Sequence, residues 1–522
     1  MRRGVERSWE EVGRTLEPLS GLDAAFLAME TPSSRLHVAG IFVLDPPATG
    51  GTEPSAGEWA ARRFDAIRTT VGERLGRVPR LTRRVVRMPL DLQRPLWVEE
   101  PCIDLDAHVR RASVASPGGQ HELDALAGEV LSQPLPLDRP LWEMVVADGL
   151  TGGRTAVVAR LHHAVLDGVS GANALGAFLD LSPQGDAHPE IRPDVARAGW
   201  SVKHEPAAQP RSALATWGYL AATVADQATA VAAALNRSAD ALVALWRQNR
   251  ELASHGLTPP PAPFSAPRTS LNGRVTGERR IETLSVPLAD LELVQNALGR
   301  GLAGAPGGSA ATVNDVILAA VGGALRRYLA SRGELPSRSV VALVPVSTRG
   351  PAAVPSSRQV HVGNDVSGML VELGSTIEDP VARLREVARA TGVAKMQEDL
   401  AGGVFLETLL QAVPPALVAG FVRMADAFLL FDRISPPVNV AVSNVVVPDV
   451  PLWWSGSPVS AIFPAGPVAE GVGLNVTAMT YRGVVRFGVV GCPRLVPDVG
   501  QVAALLDDAL AELVVAAMGA SR

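Results

Sequence analysis

Apolar residues recur along this chain with two periods, and the switch between them lays out strands and helices in turn. Thr155–Leu161 (TAVVARL) is a short Val- and Ala-rich run that reads as a strand, whereas Ala174, Leu175, Phe178 and Leu179 fall at helical spacing after Gly168. The same reading predicts a helix over Leu22–Met29, a strand over His37–Leu44, and helices near Trp59–Gly72 and over Glu122–Ser132. In the second half it predicts a helix over Ala311–Leu329, a strand over Val340–Gly350 and an amphipathic helix over Pro380–Gln397. A strand-rich block follows over 438–490, and a last helix over Pro497–Met518.

Between the halves the pattern breaks. Residues 182–211 turn Pro-rich and polar, a linker signal, and 212–254 form an Ala-rich helical stretch before the strip Pro259–Pro267. Asp226, Gln227, Arg237 and Asp240 argue against a membrane span there. Phe405–Phe431 is nearly all apolar but is interrupted by Pro414, Pro415, Arg423 and Asp426, so it reads as a core helix pair or as a face resting on a membrane or lipid droplet.

Composition changes this picture little. The 522 residues suffice for a large core in two or more units, and 47% are hydrophobic although only 4% are aromatic. A net charge of −5 gives no basic field for nucleic acid. Two distant cysteines, Cys102 and Cys492, suggest a reducing compartment without a disulfide framework, and the first twenty residues lack the apolar core of a secretory signal.

The chemistry concentrates where Thr155–Leu161 ends, in His162, His163, Asp167 and Gly168. Successive strand side chains point to opposite faces, so one of two adjacent histidines faces a cavity while the other faces the packed side. A neutral imidazole takes a proton from a hydroxyl near neutral pH, and a carboxylate four residues on can brace the turn. The plain alternative is a structural turn. A metal site fits poorly, because adjacent strand histidines diverge and no CxxC or HxxxH set accompanies them. His37 reads as a strand histidine satisfied by the core.

The order HHAVLDG resembles the HHxxxDG motif of the acyl-CoA-dependent acyltransferase superfamily. PLDRPLWE (Pro136–Glu143), PVSTR (Pro345–Arg349), Gly363-Asn364, Ser443-Asn444, Gly473–Asn475 and YRGVVRFG (Tyr481–Gly488) narrow the resemblance to the bacterial wax ester synthase/diacylglycerol acyltransferases. It runs from Leu19 to about Leu513, and departs from the family pattern where VVVPD follows Ser443-Asn444 and where Cys492 replaces an aspartate.

The resemblance implies an α/β fold of two chloramphenicol-acetyltransferase-like lobes, each a mixed β-sheet with flanking helices, joined by a helical crossover. The first lobe would span 1–182, the linker and crossover 183–267, and the second lobe 268–522. The activity implied is transfer of a long-chain fatty acyl group from acyl-CoA to diacylglycerol, with long-chain fatty alcohols as the alternative acceptor. A lipid-binding or carrier-interacting protein on the same fold is the non-enzymatic alternative. His163 would be the general base, His162 would support it through a hydrogen bond, and Asp167 would hold the loop. Gly168, Asn272, Ser443, Asn444 and Arg349 are the residues expected on the substrate side. Asn272 is equally a turn residue, being followed by Gly273, and the oxyanion donor is left between Asn272 and Ser443. An arginine from Arg80, Arg83 and Arg84 would pair with Asp167, and Asp315 reads foremost as a helix cap. No cofactor or metal is implied, acyl-CoA being a substrate. The expected location is cytoplasmic, with peripheral contact to the inner membrane face or lipid droplets.

Overall fold

A computed structural model describes residues 16–47, 56–87, 94–165, 171, 174–185, 243, 246–299, 310–347, 366–401, 419–420, 423–425, 432–447 and 449–520. In chain order the first half gives β1 (Leu16–Pro18), α1 (Gly21–Met29), β2 (His37–Leu44), α2 (Ala56–Arg74), β3 (Arg83–Val86) and β4 (Leu96–Glu99). It continues with α3 (Leu105–His108), β5 (Val109–Ser113), α4 (Gln120–Ser132), β6 (Trp142–Asp148) and β7 (Thr155–His162). The second half gives β8 (Arg280–Pro287), α5 (Leu288–Leu298), α6 (Val313–Ser331), β9 (Val341–Ser347), β10 (Val366–Glu372) and α7 (Pro380–Ala401). It closes with β11 (Val440–Val446), β12 (Trp453–Trp454), β13 (Ser457–Ala465), β14 (Leu474–Tyr481), β15 (Val484–Gly491) and α8 (Val499–Ala520).

Two six-stranded mixed sheets result, β12-β13-β2-β7-β6-β5 and β10-β9-β11-β14-β15-β8, beside a small sheet β1-β4-β3. The first takes two strands, β12 and β13, from the second half of the chain, so residues 453–465 complete the lobe that the N-terminal residues begin. β13 pairs antiparallel with β2, and β2 with β7.

The Val- and Ala-rich run of β7 is explained by its position. All eight of its residues are buried. Val157, Ala159 and Leu161 pack into the core of the first lobe with Phe42 and Trp142. Ala156 and Val158, on the other face, pack into a layer that includes Val275, Ile281, Val490 and Cys492 from the second half. A strand covered on both sides reads as continuous apolar sequence rather than as an alternation.

The second lobe packs α6, α7 and α8 on one face of its sheet. The cap of α6 is reciprocal: Asp315 accepts from the Thr312 N–H at 2.7 Å while Thr312 Oγ1 accepts from the Asp315 N–H at 3.3 Å. Thr391 of α7 also donates to Asp315, at 2.6 Å, so this buried carboxylate joins two helices. The β14–β15 hairpin turns through Arg482 and Gly483, both at positive φ (53° and 69°), the two-residue turn that suits strand twist. Gly488 serves a different need, since a Cβ there would stand 1.8 Å from the Pro464 carbonyl where β15 passes β13.

The lobes are clamped along α4 and the segment leading into β8. Ser132 Oγ accepts from the Arg279 N–H at 2.7 Å, and Asp124 accepts from the Thr283 N–H at 2.9 Å. The buried Arg279 guanidinium donates to the carbonyl of Ser33 in the first half at 2.8 Å and to that of Val468 at 3.4 Å. The two cysteines, Cys102 and Cys492, are not joined in a disulfide.

Candidate active site

His162 is the last residue of β7, and His163 opens the turn that follows. The turn is fixed by its backbone. The His162 N–H donates to Leu141 O at 3.0 Å, the His163 N–H to Leu36 O at 2.8 Å, and the Val165 N–H to His162 O at 2.9 Å. Neighbouring strands therefore hold this end of β7 from both sides.

The two histidines occupy different surroundings. His162 is fully buried and its Nδ1 accepts the Ala164 N–H at 3.0 Å. Burial drives its pKa down to about 3, with His163 and Arg87 adding to the shift, so the ring is neutral. With Nδ1 acting as acceptor, a neutral ring carries its proton on Nε2. His163 is half-buried, and its ring lies against Phe26 with centroids 4.3 Å apart and planes tilted by 38°.

Behind the pair stand two further titratable side chains. His37 is the cross-strand partner of His162, with ring centroids 6.1 Å apart. Glu30, the residue that ends α1, places Oε2 at 3.6 Å from His162 Nε2 and Oε1 at 3.9 Å from His37 Nε2. Burial holds His37 well below the usual histidine range and pushes Glu30 up to about 7, against the opposing pull of Arg87 and Arg35. Both ring nitrogens of His37 and the Nε2 of His162 lack a hydrogen-bond partner. An unsatisfied buried donor costs about 1–3 kcal/mol, so this cluster is expensive to keep. Glu30 escapes a sequence reading because its nearer partner, His162, lies on β7, far along the chain; its only local signal is its place after a helix and seven residues before His37.

The other expected residues divide. Asp167, Gly168, Arg349, Gly363 and Asn364 lie outside the described residues, as do most of Phe405–Phe431 and residues 186–242 of the crossover. Asn272 is committed to the backbone: Nδ2 donates to Val438 O and Gly471 O, each at 2.8 Å, and Oδ1 accepts from Asn439 Nδ2 at 2.8 Å and Thr269 Oγ1 at 3.1 Å. Both amide hydrogens are thus engaged in the turn role, one of the two roles open to Asn272. Ser443 and Asn444 are split by strand alternation. Val440 and Val442 pack into the second-lobe core, whereas Val445 packs into the first-lobe core with Met479 and Tyr481 of β14. Ser443 shares the side of Val445. Asn444 shares that of Val442, and its Oδ1 is buried without a partner.

Arg80, Arg83 and Arg84 are each paired with a carboxylate other than Asp167. Arg80 reaches Glu17 at 3.1 Å and sits 4.9 Å over the Trp97 ring, Arg83 meets Glu17, and Arg84 meets Glu100 at 3.1 Å. The PLDRPLWE run is architectural. Trp142 is buried, donates Nε1–H to Leu81 O at 2.8 Å and stacks on His108 at 4.3 Å, while Asp138 and Arg139 form an exposed pair at 3.0 Å. Glu143 pairs with Arg160 and Arg110. Among the described residues no group of three or more His, Cys, Asp or Glu is arranged to hold a metal ion, and no described helix is long and apolar enough to cross a membrane.

Comparison with known proteins follows the same outline. Residues 19–317 match the wax ester synthase/diacylglycerol acyltransferase catalytic domain, and residues 362–514 match the C-terminal domain of that family. A Mycobacterium tuberculosis protein named as a candidate diacylglycerol O-acyltransferase is 32% identical over 499 residues, covering 95% of this chain and 90% of its own. Another from that organism, named likewise, is 30% identical and covers 94% and 97%. Among solved structures, a wax ester synthase/diacylglycerol acyltransferase from Marinobacter aquaeolei has a similar fold, with a TM-score of 0.64, 23% identity, and coverage of 96% of this chain and 100% of that one. The first condensation domain of the CDA synthetase is similar at a TM-score of 0.53 and 17% identity, with 96% of each chain covered.

Proposed function

Because this chain belongs to the wax ester synthase/diacylglycerol acyltransferase family and carries out acyl transfer to diacylglycerol, we propose that His163 is the general base of that transfer. The observation that carries this assignment is the asymmetry of the histidine pair. His162 is sealed, neutral and engaged through Nδ1, whereas His163 is half-buried and stands on a turn held by two neighbouring strands.

The chemistry then runs as one displacement. His163 takes the proton of the acceptor hydroxyl, and the oxygen attacks the thioester carbonyl of acyl-CoA. The C–O bond forms, the tetrahedral intermediate collapses, the C–S bond breaks, and the protonated imidazole returns its proton to the departing thiolate. A thiolate leaves readily, so no acyl-enzyme is required. Ser443 is the remaining candidate donor to the oxyanion, since it lies on the side of β11 that turns toward the first lobe. By family resemblance Asp167 holds the loop after the base, and Gly168, Arg349 and Asn444 belong to the substrate side.

The acceptor is a membrane lipid, so the enzyme works from the cytoplasm at the inner membrane face or on lipid droplets. The exposed apolar side chains of Trp246 and Met424 support that peripheral contact. Long-chain acyl-CoA is the donor.

The test is His163→Ala assayed with radiolabelled palmitoyl-CoA and diacylglycerol, with folding followed by circular dichroism. Loss of about 10²–10⁴-fold in turnover of a folded variant is expected. Normal turnover would overturn the assignment of His163 as the base. Running hexadecanol in parallel reports whether wax ester formation accompanies triacylglycerol formation.

A further inference from the structure

The Glu30 carboxyl sits between two buried imidazoles that have no other partner on the sides facing it. Its oxygens stand 3.6 Å from His162 Nε2 and 3.9 Å from His37 Nε2. The His162 ring carries its proton on that Nε2, because Nδ1 receives the Ala164 N–H. The separation exceeds a hydrogen bond by only about half an ångström. Glu30 is anchored on its own side, where it ends α1 with an extended backbone. Arg87 secures the same helix by donating to Leu27 O at 3.2 Å.

We propose that Glu30 is a positioning residue of the acyl transfer: its carboxylate takes the Nε2–H of His162 and thereby fixes the imidazole that holds the Ala164 N–H, the turn on which His163 stands. His37 closes the other oxygen of the same carboxyl. The proposal rests on the assignment of His163 as the base. It gives His162 a defined task, which is to connect a helix end to the reactive turn.

The charge state of Glu30 follows from its neighbours. Arg35 and Arg87 face it with positive charge, and His37 and His162 face it as neutral rings; His37 is in turn faced by Arg160 and Arg279. Burial raises Glu30 to about 7. Glu30 therefore titrates within the working range, and the competent form is the carboxylate. On the acid side two protons must leave, one from Glu30 and one from the base, so the logarithm of kcat/KM approaches a slope of two against pH.

The experiment compares the full-length enzyme with Glu30→Gln, Glu30→Ala and His163→Ala, using palmitoyl-CoA and diacylglycerol from pH 5 to 9. Glu30→Gln retains an acceptor oxygen without the titration. As a mimic of the protonated carboxyl it should lower kcat at pH 8 toward the level of Glu30→Ala, while the limiting acid slope falls from two to one. Glu30→Ala frees the turn and should lower kcat by up to about 10²-fold with KM for palmitoyl-CoA unchanged, the penalty of a misplaced reacting group. Wild-type kcat in Glu30→Ala, or an unchanged acid slope in Glu30→Gln, overturns the proposal. If Glu30→Ala fails to fold, the slope of Glu30→Gln decides. An active His163→Ala would instead remove the base assignment beneath it, whereas an inactive His163→Ala beside unaltered Glu30 variants would sink the Glu30 role alone.

Discussion

Glu143→Gln separates an architectural PLDRPLWE run from one that binds substrate. Glu143 on β6 stands opposite Arg160 on β7. Its Oε2 receives Arg160 Nε at 2.8 Å and Nη2 at 2.6 Å, and its Oε1 receives Arg110. The Arg160 side chain is 2% exposed and that of Glu143 9%, while Arg110 is 42% exposed. Gln keeps the volume and one acceptor oxygen but removes the charge, leaving Arg160 buried and uncompensated. Breaking one side of such a pair costs about 3–5 kcal/mol. The solvated Arg110 adds at most about 1 kcal/mol, and the surviving hydrogen bond returns about 1 kcal/mol. The net is about 2–5 kcal/mol, or roughly 30- to 5,000-fold in the folded-to-unfolded ratio. Urea denaturation followed by circular dichroism measures it, with kinetics run well below the midpoint. A lower midpoint with KM for palmitoyl-CoA and diacylglycerol within twofold of wild type is expected. A tenfold rise in either KM at an unchanged midpoint would refute the reasoning, because it would put the carboxylate on substrate.

Three other variants probe the clamp and the second sheet. Asp124 is raised from 3.8 to about 6, chiefly by burial, while hydrogen bonds from Gln120 and Thr283 pull it back. A carboxyl whose folded pKa is raised stabilises fully below pH 4 and loses that contribution as pH rises through 6; Asp124→Asn, which cannot ionise, should remove a loss of about 3 kcal/mol across that window. A pH series of urea midpoints indistinguishable from wild type would count against this. Ser443→Ala should lower kcat by about 10²–10³-fold with the midpoint unchanged if its hydroxyl faces the oxyanion, and wild-type kcat would exclude it. Asn272→Ala should instead cost stability, about 2–4 kcal/mol, because it removes one acceptor of the buried Asn439 amide and the donor to the Val438 and Gly471 carbonyls; a loss of kcat without loss of stability would return Asn272 to the site.

The local elements were legible because their periods are clean. β2, β7, α1, α4, α6 and α8 fall within a few residues of the reading from apolar spacing. Pairing was not legible, since hydrophobic runs identify strands without naming their partners. β13 illustrates this: its apolar residues mark a strand, but only the folded chain shows that it joins β2, more than 400 residues earlier. The burial of a charged side chain was not legible either: Arg80, in the basic run at 77–86, is 8% exposed. Arginine tolerates that burial when carboxylates neutralise it and an aromatic face receives it, and Glu17, Asp23 and Trp97 meet those needs.

At the site, the histidine pair was legible and its support was not. Strand geometry alone requires His162 and His163 to diverge, and hence to differ in exposure. Which groups satisfy the inward ring depends on partners from α1 and β2, whose proximity is set by the antiparallel register of β2 with β7. The same physics explains why two adjacent histidines are useful. A lone base at a strand end swings with its loop. A second imidazole, buried and neutral, accepts a backbone N–H through Nδ1 and offers Nε2–H on its far side, so it links the loop to the scaffold across one rigid ring. On the proposed assignment the inward histidine would supply stiffness and the outward one reactivity, and neither task could be moved to the other without turning β7 over.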